Sequence, residues 1–66
     1  MKLTVNGEPR EVPDGLSVDG LILHLRLASP RVAVEVNRTL VPKARHNEHA
    51  LTEGDQVEIV TFVGGG

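Results

Sequence analysis

The sequence contains no cysteine, tryptophan or tyrosine, and Phe62 is its only aromatic residue. Without cysteine the chain can form no disulfide, no thiolate nucleophile and no persulfide of its own. That fits a reducing compartment. A single aromatic ring argues against single-strand nucleic-acid binding, which relies on stacking successive bases. Basic charge is also scarce: 7 Lys and Arg against 9 Asp and Glu give a formal net charge of −2. The basic residues are scattered from Lys2 to Arg45, whereas phosphate binding needs them clustered. No apolar run nears the ~20 residues of a membrane span, and no signal-peptide core opens the sequence. The expectation is a cytoplasmic, soluble protein with neither nucleic acid nor membrane as partner. At 66 residues it is one domain near the lower limit for independent folding, burying only about 60% of its unfolded surface. There is no room for an active-site cleft with walls of its own.

What is present is a run of short, well-punctuated elements. Met1 to Val5 alternates with period 2, and Asn6-Gly7 is a strong hairpin signal because a type I′ turn needs positive φ at both central residues. The return strand, Glu8 to Val12, carries Pro9, which cannot donate to a ladder and so belongs on a free edge. Pro13-Asp14-Gly15 has turn chemistry. Ser17 is a helix N-cap, with Leu16 and Leu21 at the positions of a hydrophobic staple. Val18, Leu21, Ile22 and Leu25 form one apolar stripe, and His24 falls on the solvated side. The helix is expected to run about ten residues and to end before Pro30, which disfavours helical geometry at Ser29. Arg31 to Val36 reads as a central strand rich in β-branched residues. Asn37-Arg38 is a turn, and Thr39-Leu40-Val41 is a short strand stopped by Pro42. Lys43 to His49 is a polar loop with one helical turn. Thr52-Glu53-Gly54-Asp55 turns the chain into a last strand, Gln56 to Val63. Being so apolar, that strand is best placed centrally, beside the first. A hairpin, a crossing helix and returning strands give an α+β domain, one mixed sheet packed on one helix. That arrangement is the β-grasp. The domain is residues 1–63, and residues 64–66 are a glycine tail.

Gly64, Gly65 and Gly66 follow the last strand without a spacer. Lacking Cβ, they reach conformations other residues avoid and lose the most entropy on ordering. Such a tail packs nothing, should stay mobile, and reaches roughly 10 Å when extended. A frayed terminus or a cloning scar is the plain reading of such an end. The direct junction with an apolar strand, and a chain that stops on glycine, favour a working tail. It can thread a channel too narrow for a side chain and present its α-carboxylate to another protein's active site.

Val5-Asn6-Gly7, Val34-Glu35-Val36-Asn37 followed by Val41-Pro42, Gly54-Asp55, and the closing Phe62-Val63-Gly64-Gly65-Gly66 together resemble the ThiS family. These are small ubiquitin-like sulfur carriers of thiamine biosynthesis, and the resemblance spans essentially the whole chain. Family members often carry an aromatic residue after the Val-Pro segment, where this chain has Arg45-His46. The resemblance implies a carrier and not an enzyme. An E1-like adenylating enzyme using ATP and Mg²⁺ converts the Gly66 carboxylate to an acyl-adenylate. A sulfur donor such as a cysteine desulfurase leaves a Gly66 thiocarboxylate, and thiazole synthase takes the sulfur. Gly64 and Gly65 would thread the partners' active sites. The resemblance leaves two alternatives open: a small sulfur-carrier subunit of molybdopterin synthesis, or a ubiquitin-like modifier joined to other proteins through Gly66.

The last strand suggests where partners dock. Val57, Ile59 and Thr61 share one face and should meet the helix. Glu58, Val60 and Phe62 share the other, next to the tail. Val60, Phe62 and Val63 are therefore the expected docking residues, because exposed apolar clusters with an aromatic anchor mark interfaces. The rival reading makes Phe62 core. His46-x-x-His49 with Glu48 has no convincing third ligand, so no metal site is expected. Ser17 has no base beside it and is explained as a cap.

Overall fold

The computed structural model of the protein describes residues 1–27 and 31–62. Strands β1 (Lys2–Val5) and β2 (Glu8–Glu11) form the first hairpin, followed by helix α1 (Val18–His24). Strands β3 (Val32–Val36) and β4 (Thr39–Val41) form a second hairpin, and β5 (Gln56–Thr61) ends the described chain. A 3-10 turn over Lys43–Arg45 lies between β4 and β5. The sheet order is β2-β1-β5-β3-β4. β5 thus lies in the middle, parallel to β1 and antiparallel to β3. The α+β β-grasp architecture read from the sequence is the one observed.

Both hairpins turn on residues with positive φ. Asn6 and Gly7 have φ of 50° and 82°, and Asn37 and Arg38 have 51° and 68°. This left-handed region strains most side chains, and asparagine tolerates it better than most. Pro9 pairs with Thr4 on β2, an outer strand of the sheet. Its missing N–H therefore costs no ladder bond. At the open end of this hairpin the Met1 amino group donates to the Val12 carbonyl at 2.6 Å and pairs with Asp14 at 2.7 Å.

The helix is shorter than expected. It spans 7 residues, with Ser17 Oγ accepting from the Gly20 N–H at 3.1 Å as the N-cap. It stops because Arg26 turns left-handed at φ 55° and its N–H bonds back to the Leu23 carbonyl. The chain thus leaves the helix before Pro30 is reached, and Ser29 and Pro30 lie outside the described residues.

One apolar core fills the space between helix and sheet. Val18 and Leu21 from α1 are fully buried with Leu3, Val34 and Val57, while Ile22 and Leu25 pack at the margin. Val5, Val12, Val36, Val41, Leu51 and Ile59 complete it. Burying a side chain of this size contributes about 1.5–3 kcal/mol. His46 departs most from expectation. Within the stretch expected as a polar loop with one helical turn, it is buried at 2% exposure. Its Nε2 lies 3.0 Å from the Val41 carbonyl, and its own carbonyl accepts the Asp19 N–H at 2.9 Å. No helix among the described residues is long and apolar enough to cross a membrane.

Candidate functional site

The strand that carries the tail is fixed from both sides by asparagine side chains. β1 pairs with β5 as far as Val5 and Val57, and the Asn6 N–H then donates to the Val57 carbonyl. Beyond that point β1 has turned away. The Asn6 carboxamide continues the ladder in its place: Oδ1 accepts the Ile59 N–H at 2.7 Å, and Nδ2 donates to the Ile59 carbonyl at 3.1 Å. The side chain thus stands in for a peptide group. On the other side, Asn37 Oδ1 accepts the Gln56 N–H at 3.0 Å and Asn37 Nδ2 donates to Asp55 Oδ1 at 3.0 Å.

Asp55 closes the turn before β5. Its carboxylate accepts from the Thr52 N–H at 2.9 Å and the Thr52 hydroxyl at 3.1 Å, besides Asn37. Burial acts to raise its pKa, but these donors outweigh burial and hold the carboxyl below its usual range. The Val-Asn and Gly-Asp motifs are therefore parts of one device that sets where β5 lies. The sequence carried a signal for it, since an asparagine ends β1 and another ends β3. Turn chemistry explained each residue locally and hid this longer-range task.

β5 alternates as expected. Val57 and Ile59 are buried under the helix, and Thr61, on the same face, is exposed beside a groove of about 270 Å³ shared with Leu25 and Leu27. On the open face, Val60 is 56% exposed and Phe62 52%. Phe62 is therefore not core. Its N–H donates to the Arg31 carbonyl at 2.9 Å, which prolongs the sheet by one step past β5. Ala33 lies opposite Val60, and Leu40, at 60% exposure, lies opposite Glu35. Glu35 in turn faces Glu58 directly. Like charges in this register oppose each other. The open face thus combines an apolar strip with an acidic pair. Val63, Gly64, Gly65 and Gly66, the remaining site residues read from the sequence, lie outside the described residues. Among the described residues, no group of three or more His, Asp or Glu gathers to hold a metal ion.

A five-stranded sheet with a central parallel pair, grasping a short helix and leading out through its middle strand, defines a ubiquitin-like β-grasp domain. The chain belongs to the ThiS family, whose model matches residues 3–66. The crystal structure of the thiamine biosynthesis protein ThiS from Geobacter metallireducens superimposes with a TM-score of 0.86 at 36% identity, covering 100% of both chains. The sulfur carrier protein ThiS of Bacillus subtilis is 38% identical over 50 residues, 76% of each protein. A thiazole synthase from Paramagnetospirillum magneticum is 44% identical over all 66 residues of this chain. A second, from Magnetococcus marinus, is 41% identical over the same span. The chain spans 20% of the length of each of these two thiazole synthases.

Proposed function

We propose that this protein is a sulfur carrier of thiamine biosynthesis, acting as co-substrate rather than catalyst, with the Gly66 carboxylate as its working group. The observation that carries this reading is the extent of the family match, which runs through Gly66 and takes in the whole glycine tail. The pathway reading rests on the thiazole synthases that contain a stretch similar to this entire chain. They favour thiamine over molybdopterin synthesis and make thiazole synthase the expected acceptor of the sulfur.

The chemistry follows from the group. A terminal carboxylate has a pKa near ~3.5 and at neutral pH is an anion that resists nucleophiles. An E1-like enzyme using ATP and Mg²⁺ joins a carboxylate oxygen of Gly66 to the α-phosphorus of ATP and releases pyrophosphate. The acyl-adenylate has lost the charge and gained AMP as leaving group. The terminal sulfur of a persulfide on a donor such as a cysteine desulfurase displaces AMP, and a thiol then cleaves the S–S bond of the acyl disulfide so formed, leaving the thiocarboxylate and a disulfide. Glycine keeps the carbonyl unhindered. Val60, Phe62 and Val63 dock the partner, and Gly64 and Gly65 pass the tail into its active site.

Gly65→Val tests the threading step. It keeps the reach but adds a branched side chain where the partner's channel passes backbone. The variant should melt like the parent, yet release no pyrophosphate from ATP with the E1-like enzyme. Pyrophosphate release at the parent's rate would refute the threaded-tail reading.

A further inference from the structure

Asn6-Gly7 does more than close a hairpin, and its chemistry reaches beyond the sulfur-carrier reading. An asparagine followed by glycine is the pair most open to attack by the backbone on its own side chain, because the glycine nitrogen has no neighbouring Cβ in its way. In that reaction the Gly7 amide nitrogen gives its proton to solvent base and bonds to Cγ of Asn6. The Cγ–Nδ2 bond breaks, and ammonia leaves. Water then opens the succinimide ring. Attack at Cγ gives aspartate, and attack at the backbone carbonyl carbon gives isoaspartate. No oxidant or other co-reactant is needed.

The fold opposes this reaction at a particular place. The Asn6 carboxamide is held by the Ile59 backbone through two hydrogen bonds of 2.7 and 3.1 Å. Its carbonyl carbon is committed to β5, and attack requires the two reacting atoms to meet in near-attack geometry. Asn6 and Gly7 are also fixed in left-handed backbone at φ 50° and 82°. We propose that Asn6-Gly7 is a deamidation site that the native fold keeps latent through the Asn6–Ile59 clamp.

The products would undo the clamp. Aspartate at position 6 loses the Nδ2 donor and sets a carboxylate oxygen against the Ile59 carbonyl. Isoaspartate adds a methylene to the backbone of a two-residue turn and disturbs the register in which Val5 faces Glu8. Either change weakens the hold on β5 at Ile59, one residue before Val60 and three before Phe62. Deamidation would therefore strike the part of the molecule that positions the docking strand and the tail. Asn37-Arg38 and Asn47-Glu48 are internal controls, because a side chain follows each asparagine.

At 66 residues the chain is within reach of total synthesis. An amide-to-ester replacement between Glu58 and Ile59 removes the Ile59 N–H and leaves every side chain in place. The parent, the ester analogue and the urea-unfolded parent are incubated at mildly alkaline pH. Deamidation is read as the conversion of amide to acid by intact mass, then mapped by peptide sequencing and by isoaspartyl methyl transfer. The unfolded parent should react fastest and at Asn6. The folded ester analogue should react roughly fivefold faster than the folded parent, the factor implied by losing one ordinary net hydrogen bond. Equal rates for parent and folded analogue would overturn the proposal, as would modification mapped to Asn37 or Asn47. Should the analogue fail to fold, the parent in sub-denaturing urea replaces it. Its deamidation rate should then rise in step with hydrogen exchange at the Ile59 N–H, and a rate indifferent to that opening would overturn the proposal equally.

Discussion

Replacing Asn6 separates two contributions that meet in one side chain. Asn6→Ala removes both hydrogen bonds to Ile59. At about 0.5–1.5 kcal/mol net for each, that is a loss of about 1–3 kcal/mol. Alanine must also hold φ at 50°, which adds about 1 kcal/mol for a residue with a Cβ in left-handed backbone. The expected cost is about 2–4 kcal/mol. At roughly 0.05–0.15 kcal/mol per residue, a domain of 66 residues has only about 3–10 kcal/mol in total. Asn6→Gly accepts the positive φ and loses the clamp, at about 1–3 kcal/mol, besides the roughly 0.5–1 kcal/mol that a new glycine costs in backbone entropy. The gap between the two variants measures the backbone strain less the backbone entropy of glycine, and the cost of the glycine variant measures the clamp plus that entropy. Urea unfolding gives both, provided that the slope m stays at the parent's value and only the midpoint moves. Hydrogen exchange at the Ile59 N–H should accelerate in both variants. A glycine variant with the parent's midpoint would refute the reasoning, because the ladder would then lose nothing when its side-chain rung is removed.

Three further outcomes follow from the same structure. Leu21→Ala, at a fully buried position, should lower stability by about 2–5 kcal/mol, and a parent-like melting temperature would contradict the core assignment. Phe62→Ala, half exposed on the open face, should leave the melting temperature nearly unchanged while weakening binding to the E1-like enzyme or thiazole synthase by over about 1 kcal/mol. Lost stability with unaltered affinity would reverse the roles. Asp55 has a folded pKa below its ordinary value, so its contribution is fully present above about pH 4 and fades as pH falls through the folded value. Asp55→Asn should therefore be less stable than the parent at neutral pH and lose less on acidification. Parallel pH profiles for the two proteins would remove Asp55 from the account.

Much of this fold was legible because local signals agreed with one another. Asn6-Gly7 and Asn37-Arg38 both turn with positive φ, Pro9 sits on an edge, and Ser17 caps the helix. The apolar alternation of the last strand placed it in the middle of the sheet. Elements whose limits depend on tertiary contact were harder to read. The helix stops at Arg26 through a left-handed residue that is not glycine, a conformation no propensity announces. His46 lies in a stretch of polar neighbours that reads as loop, yet the Val41 carbonyl gives its ring a partner inside the core. Asn6 and Asn37 carried turn signals strong enough to explain them alone. Their bonds to Ile59 and Gln56 join residues 53 and 19 positions apart, beyond any local pattern. On β5 and just past it, the exposure of Val60 and Phe62 followed directly from the period-2 pattern.

The central claim is that sulfur is carried on the Gly66 carboxylate, and one measurement meets it directly. The parent and a variant lacking Gly66 are each incubated with the E1-like enzyme, ATP, Mg²⁺ and a sulfur donor, and their intact masses are recorded. Losing one residue shortens the reach by roughly 3.5 Å, whereas a misplacement near 1 Å can already cost about a hundredfold in rate. The parent should gain the mass difference between sulfur and oxygen, localised to its C-terminal peptide, and the shortened chain should keep its original mass. A shortened chain that still acquires sulfur, or a parent whose added mass maps away from Gly66, would contradict the account.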